Sequence, residues 1–231
     1  MKESPIQLPP PRLKGRVSIE EAIYQRRTHR TYKNRPITIE EISQLLFVGQ
    51  GITNKEGGRT VPSAGALYPI EMYLVAGNVK GIAPGAYKYK PETHELIKVL
   101  DGDKRKELSE ATLFQFWVED AAAVIVLCGV FWRTMIKYRE RGKYFVFMEM
   151  GHTAQNISLQ SIPLGLGTVC IGGFNKRKVK RILNLRGDEV PLYLLPIGKI
   201  FKNYYKKERE TMKKFKHLLE EVFSRYSRNH E

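Results

Sequence analysis

The 231-residue sequence has only two cysteines, Cys128 and Cys170, each inside an apolar run, VIVLCGV and TVCIGGF. Such settings suit buried free thiols better than a bridge, and two cysteines give no framework for a disulfide-stapled fold. The histidines (29, 94, 152, 217 and 230) show no metal-ligand spacing, alone or with the cysteines, so a metal site is not expected. Long hydrophobic runs are missing as well. No stretch approaches the ~18 uncharged apolar residues of a membrane span. The start, MKESPIQLPPPRLKGR, lacks the apolar core and small-residue cleavage site of an export signal, so a cytoplasmic protein with no membrane span is expected. No Ser, His and Asp grouping points to hydrolysis. GLGTVCIGGF (165–174) fails as a dinucleotide fingerprint, because Cys170 stands where a third Gly or Ala belongs and strand-like residues follow.

Acidic residues are scarce too: 24 Asp and Glu face 39 Lys and Arg, for a net charge of +15. Residues 1–35 hold nine basic against three acidic residues, and 199–231 hold ten against five. Clustered cations are the footprint of phosphate binding. Here they are interleaved with Glu, and no zinc-finger spacing, RNP-like aromatic motif or KH-type loop accompanies them. Nucleic acid is therefore not the expected partner; attraction to anionic cofactors and dinucleotides accounts for part of the charge equally well.

What is present suits one domain with a substantial core, at 42% hydrophobic residues. Four prolines in the first fifteen residues make residues 1–15 an extended arm, with structure expected only after it. Ser18 with Glu21, and Thr38 with Glu41, each carry the capping signature of a helix start, the second helix ending at Gly49 and Gly51. EMYLVAG, AYKYK and HELIKVL have strand composition, the last two as a hairpin. AAAVIVLCGVF (121–131) reads as a strand buried on both faces, central to a sheet. Lys143 to Ile162 reads as a helix apolar almost all round, held in a core or interface. TVCIGGF and PLYLLPIG supply two more strands around a short helix. In the tail, Met212, Phe215, Leu218, Leu219, Val222, Phe223 and Tyr226 recur at helical steps, making 201–231 a basic amphipathic extension suited to packing on this subunit or a partner.

Three segments carry chemistry. RRTHR (26–30) offers three guanidinium groups where a helix gives way to a loop, suited to bidentate phosphate contacts or simply to a solvated helix end. PSAGALYP (62–69) is a small-residue loop whose backbone can approach an anion or ring, or a plain surface loop. Gly172 and Gly173 mark a close backbone approach to something flat, or a bulge. His152, Gln155 and Asn156, polar in an apolar helix, read as structural hydrogen-bonding groups.

In order, RRTHRTY, PSAGALYPIEMYLV, KYRERGKY, EMGHTAQNISLQSIPLGLG and DEVPLYLLPIGK resemble the nitroreductase-like flavoproteins, particularly the SagB-type dehydrogenase branch, from about Val17 to Lys199. The resemblance implies an α+β fold over residues 16–200, a mixed central sheet flanked by helices, with FMN at a homodimer interface formed through the long helix. It also implies site residues. Arg26, Arg27, Thr28 and Arg30 would contact FMN, Arg26 at the phosphate and Arg30 at the N1/O2 edge. Pro62, Ser63, Ala64 and Gly65 would come from the other subunit. Gln115 would supply an amide to the ring, and Ile171, Gly172 and Gly173 would form the turn over it, the Gly172 N–H facing N5. The phosphate contact near the C-terminus falls loosely on Lys199. Lys137 and Tyr138 would be the catalytic pair, removing a proton while N5 takes a hydride, provided burial beside Arg133, Arg139 and Arg141 lowers the lysine's pKa; read on its own residues, YRERGK is equally an exposed charged turn. The implied reaction is either dehydrogenation of an organic or azoline-peptide substrate or NAD(P)H-driven reduction of nitro compounds and quinones. The rival reading is a basic nucleic-acid- or partner-binding module that keeps the fold without redox activity.

Overall fold

The structure, a computed structural model, describes residues 4–113, 115–201 and 204–228, with side chains of the last segment described from 206 to 221. The chain opens with β1 (Ile6–Gln7), α1 (Ile19–Gln25), β2 (Ile37–Thr38) and α2 (Ile39–Gln50). A run of strands follows: β3 (Ile70–Ala76), β4 (Val79–Lys80), β5 (Gly85–Lys90) and β6 (Glu95–Asp101). Next come α3 (Arg105–Ala111), α4 (Trp117–Asp120), β7 (Ala123–Gly129), α5 (Phe131–Tyr138) and α6 (Gly142–Ser161). The chain finishes with β8 (Leu166–Thr168), α7 (Lys176–Ile182), β9 (Val190–Lys199) and α8 (Tyr204–Arg228). The fold is α+β, as the sequence implied.

Seven strands form one sheet in the order β1-β6-β5-β3-β7-β9-β8. Its neighbouring strands pair antiparallel, while β2 and β4 form a separate parallel pair. The uninterrupted apolar run at the centre follows from burial on both faces. Met72 and Leu74 of β3 and Ile125 and Leu127 of β7 meet Leu45 and Leu46 of α2 and Val146 and Ile157 of α6. The alternate residues Tyr73, Val75, Val124 and Val126 meet Leu108, Trp117, Val179 and Leu183 of the helices on the other face. Each such side chain contributes roughly 1.5–3 kcal/mol on burial.

The capping signatures form as read. Thr38 and Glu41 make a reciprocal capping box on α2. Ser18 accepts from the Glu21 N–H, but the Glu21 carboxylate accepts from Gln25 instead of closing a box. Asn156 donates to the Val48 and Thr60 carbonyls, as a structural polar group should, while His152 and Gln155 lie on the exposed face of α6.

Four expectations change. Structure begins inside the arm, because Ile6 and Gln7 pair with Leu96 and Glu95 before the prolines stop the ladder. TVCIGGF is not one strand: β8 ends at Thr168, a single bridge joins Ile171 to Leu194, and Cys170 between them is exposed rather than buried. α6 buries only one face, leaving Tyr144, Phe147 and Met148 exposed. The KYRERGK segment is not a surface turn throughout, since Lys137 and Tyr138 end α5 and Gly142 begins α6. A side chain at Gly142 would meet the Thr134 and Met135 backbone at 2.8 Å, so glycine lets the two helices abut.

The tail is helical over its described length. Phe215 stacks edge-on against Trp117 with centroids 4.7 Å apart, and Thr211 bonds Thr31 at 2.6 Å, so the first half of α8 packs on its own subunit. The side chains of Val222, Phe223 and Tyr226 lie outside the described residues. No helix among the described residues is long and apolar enough to cross a membrane.

Candidate functional site

One group of residues gathers where α1 ends and β8 runs out. Arg26 terminates α1 and sits near enough to His29 and Cys170 to act on both electrostatically. Burial, with Arg26 adding to it, lowers the His29 pKa to about 4, so the ring is neutral at ordinary pH. The His29 N–H bonds the Thr168 carbonyl at 3.0 Å, anchoring the RRTHR segment to β8. Beyond Cys170, Ile171 is held to Leu194 by two backbone hydrogen bonds, and Gly172 and Gly173 follow on the surface. Gln115, in the loop before α4, donates to the Gly173 carbonyl at 3.4 Å. The structure thus brings Gln115 to the glycine turn although 58 residues separate them in sequence. Arg26 makes no ion pair among the described residues. A cation beside an open glycine turn is suited to a flat, anionic group.

The second group is built from the Pro62–Tyr68 loop and the end of α5. The positive φ values of Gly65 (65°), Ala66 (54°) and Tyr68 (43°) crowd three left-handed residues into four positions. Two of these are not glycine, and such strain costs on the order of 1–3 kcal/mol per residue unless the surroundings enforce it. They do. The Ser63 hydroxyl accepts from the Tyr68 N–H at 2.9 Å, and Arg133 of α5 donates to the Tyr68 carbonyl at 3.0 Å. Arg133 also pairs with Glu71 at 2.5 Å, and the Arg59 guanidinium stacks on the Tyr68 ring at 4.6 Å. The reward for this geometry is contact: a methyl at Gly65 would lie 2.9 Å from the Tyr138 hydroxyl and 3.0 Å from Lys137 Nζ. Pro62 is exposed at the start of the loop and Ala64 half-buried. Lys137, Arg139 and Arg141 are all exposed, so one chain alone does not supply the burial expected around the lysine.

Three of the expected residues sit elsewhere or are engaged. The Arg27 guanidinium turns back onto the Tyr24 and Arg26 carbonyls. Arg30 pairs with Glu208 of α8 at 2.6 Å, its backbone N–H bonds the other carboxylate oxygen, and it lies over Trp117. Lys199 pairs with Glu41 and lines a cavity of about 320 Å³ with Lys33, Arg35 and Lys80. It lies opposite Leu166, at the far end of β8 from Cys170, and so is not brought to the Arg26 group. Thr28 is half-buried within the RRTHR segment.

Sequence reading passed over Glu149 and Arg59, and gave Arg133 only the part of crowding Lys137. Glu149, in the middle of α6, is 3% exposed and has its Oε1 buried without a hydrogen-bond partner among the described residues. Burial raises its pKa to about 7 against the opposing pull of the nearby Ser63, Gln50 and Arg59. A single acid inside VFMEMG was the available signal, since buried carboxyls are rare without a partner.

The profile of the Nitroreductase family matches residues 23–199. The nitroreductase-type protein MJ1384 of Methanocaldococcus jannaschii is 40% identical over 183 residues, covering 79% of this chain and 91% of that one. The microcin B17-processing protein McbC of Escherichia coli is 29% identical over 171 residues, covering 66% of this chain and 58% of McbC, so only part of McbC's length is spanned. Among solved structures, a nitroreductase-type protein of Ralstonia eutropha JMP134 superposes with a TM-score of 0.76 at 27% identity, over 87% of this chain and 91% of that chain. With the order of its motifs, its sheet and its two residue groups on record, the chain belongs to the nitroreductase family.

Proposed function

We propose that this protein is an FMN-dependent oxidoreductase acting as a homodimer, and that it oxidises an organic substrate in the manner of the SagB-type branch. FMN, when bound, supplies two-electron chemistry at its N5. The residues present fit it. Arg26 would hold the phosphate, the Gly172–Gly173 turn and Gln115 would meet the ring, and neither glycine carries a side chain to obstruct a planar group. The family resemblance has the Arg26 group and the Ser63 group meet across two subunits. The exposed apolar face supports the same reading: Tyr144, Phe147 and Met148 of α6 and Ile19, Ile23 and Tyr24 of α1 are uncovered in a single chain. A second copy covering that face would also shield Lys137 from water.

The observation that carries the substrate class is the position of Lys137 Nζ and the Tyr138 hydroxyl where a side chain on Gly65 would otherwise lie. It joins the loop assigned to the flavin with a neighbouring pair suited to taking a proton. Dehydrogenation removes a proton as well as a hydride, and a positioned base is worth about 100- to 10,000-fold. The McbC likeness favours an azoline in a modified peptide as the substrate. The exposure of Lys137 favours a second reading, NAD(P)H-driven reduction of nitro compounds or quinones, which needs no protein base. Anaerobic flavin reduction by each donor separates the two. Lys137→Ala and Tyr138→Phe should keep bound FMN and lose azoline turnover. Azoline turnover at the wild-type rate in both variants would remove the pair from the mechanism, and retained NAD(P)H-driven reduction with no azoline turnover in the wild type would establish the second reading.

A further inference from the structure

We propose that Arg133 is a positioning residue for the Lys137–Tyr138 pair: aimed by Glu71 of β3, it ties α5 to the strained loop and so sets where Lys137 stands against Gly65. The proposal rests on the functional reading above for what the pair does, and on hydrogen bonds and ion pairs within the chain for how the pair is placed.

α5 needs such a tie. It is eight residues long, Thr134 is its single buried residue, and Phe131 packs only partly on the core. Trp132 and Ile136 face outward, 55% and 76% exposed. A short helix with so little apolar burial takes its position from polar anchors. One anchor is Trp132, whose indole N–H donates to Asp188 at 2.9 Å. The other is Arg133, which reaches the loop. Its guanidinium donates through Nη1 to the Tyr68 carbonyl and through Nη2 to Glu71. Because Ser63 accepts from the Tyr68 N–H, Tyr68 is gripped through both of its backbone polar groups. Lys137 lies one helical turn beyond Arg133, and Gly65 three residues before Tyr68. Arg133 therefore closes a ring: it joins loop and helix at one point, and at the other Lys137 and Tyr138 fill the space that a side chain on Gly65 would need.

The direction of Arg133 is set from behind. The second oxygen of Glu71 pairs with Lys88 of β5 at 3.0 Å, and Lys88, itself buried, also pairs with Glu189 at 2.5 Å. Glu189, 2% exposed, accepts further from the Tyr73 hydroxyl at 2.6 Å and the Arg186 N–H at 3.1 Å. Each oxygen of the two carboxylates thus has a donor, and the two negative charges balance those of Lys88 and Arg133. Burial by itself would raise the Glu71 pKa; Lys88 and Arg133 outweigh it and hold the carboxyl below the ordinary value, so Glu71 is charged. Apolar side chains would stabilise such an interior as well or better. What the satisfied ion group adds is direction. Glu71 is kept from turning by Lys88, and the planar guanidinium meets Glu71 and the Tyr68 carbonyl in one orientation.

The test uses the full chain with two variants. Glu71→Gln keeps the shape of the carboxylate and leaves Lys88 paired with Glu189, and Arg133→Met keeps the stem and loses the fork. Hydrogen exchange at the Tyr68 amide should speed up by about tenfold or more in both, while the Ile125 amide of the central strand stays within about twofold of wild type. With FMN bound and a thiazoline peptide as substrate, kcat should fall by about tenfold or more in both, with KM and the FMN Kd within about twofold, because a reacting group has been displaced and no binding contact removed. In a Lys137→Ala background, Arg133→Met should cost nothing further in kcat, since it acts through the residue already removed. Wild-type exchange at Tyr68 in both variants overturns the proposal, and this reading needs no cofactor. Equal kcat losses from Arg133→Met with and without Lys137 overturn it as well. A protein that takes up no FMN, or a Lys137→Ala variant with wild-type turnover, counts against the functional reading alone, because the exchange measurement still decides whether Arg133 sets the loop.

Discussion

At the scale of single residues, Arg26 carries the heaviest expectation. It is half-buried, without an ion pair among the described residues, and its charge reaches His29 and Cys170. Arg26→Ala should weaken FMN retention by roughly 1.5–3 kcal/mol, the range for hydrogen bonds to a charged group. Equilibrium dialysis of the flavin reads that as a shift in Kd, and an unchanged Kd would leave the cluster as a solvated helix end. Arg30 stands in a different position from the one its motif suggested. Glu208 lies 178 residues away, and nothing in RRTHR announces that a tail carboxylate will claim the last arginine. Gln115 was readable only through the family pattern, and its bond to Gly173 gives it a physical reason. Glu149 was announced only by being a single acid in VFMEMG, since Ser63 and Gln50, which act on it, come from distant segments and only the folded chain sets them near one carboxyl.

At the scale of elements, the sequence was most legible where local rules act alone. Thr38 and Glu41 specify the start of α2 by themselves, and the run ending in VIVLCGV specifies a central strand because alternate residues all need burial. It was least legible where partners decide. β1 is two residues long, too short for any pattern, and exists because β6 offers an edge. α5 was missed because Trp132 and Ile136 are exposed and Arg133 turns inward, which blurs its apolar face. α8 was read from its apolar steps, and within its described side chains Thr211, Glu208 and Phe215 meet Thr31, Arg30 and Trp117. Removing residues 204–231 should uncover Trp117 and lower stability by about 1 kcal/mol for the half-buried Phe215 side chain alone. Thermal denaturation with and without the helix measures this. An unchanged melting temperature would mean that α8 is docked on the subunit without stabilising it.

At the scale of the whole molecule, two buried groups set opposing pH dependences. Between about 4 and 6.5 the unfolded chain binds a proton that His29, its pKa lowered mainly by burial, refuses in the folded state, so stability falls as pH is lowered through that window. Between 4.5 and about 7 the folded chain keeps a proton on Glu149 that the unfolded chain has released, so stability falls as pH is raised through that one. The windows overlap, and the wild type should show little net dependence across the overlap. Glu149→Gln unmasks His29: its stability relative to wild type should grow with pH from 4.5 to about 7, by up to about 3 kcal/mol. Urea denaturation at several pH values reads the difference directly, and a constant difference would show that Glu149 titrates normally.

The two rims of the main sheet have a consequence for how this chain meets others. On one rim the last strand is the two-residue β1, with Pro9, Pro10 and Pro11 close behind it. On the other, β8 has three residues and gives its Thr168 carbonyl to His29. β1 pairs with only Glu95 and Leu96 of the seven-residue β6, so most of that strand keeps an edge without a strand beside it. Lys98 and Asp101 pair with each other on the uncovered stretch, and charge so placed disfavours templating by a foreign strand, the usual route to fibrous aggregation.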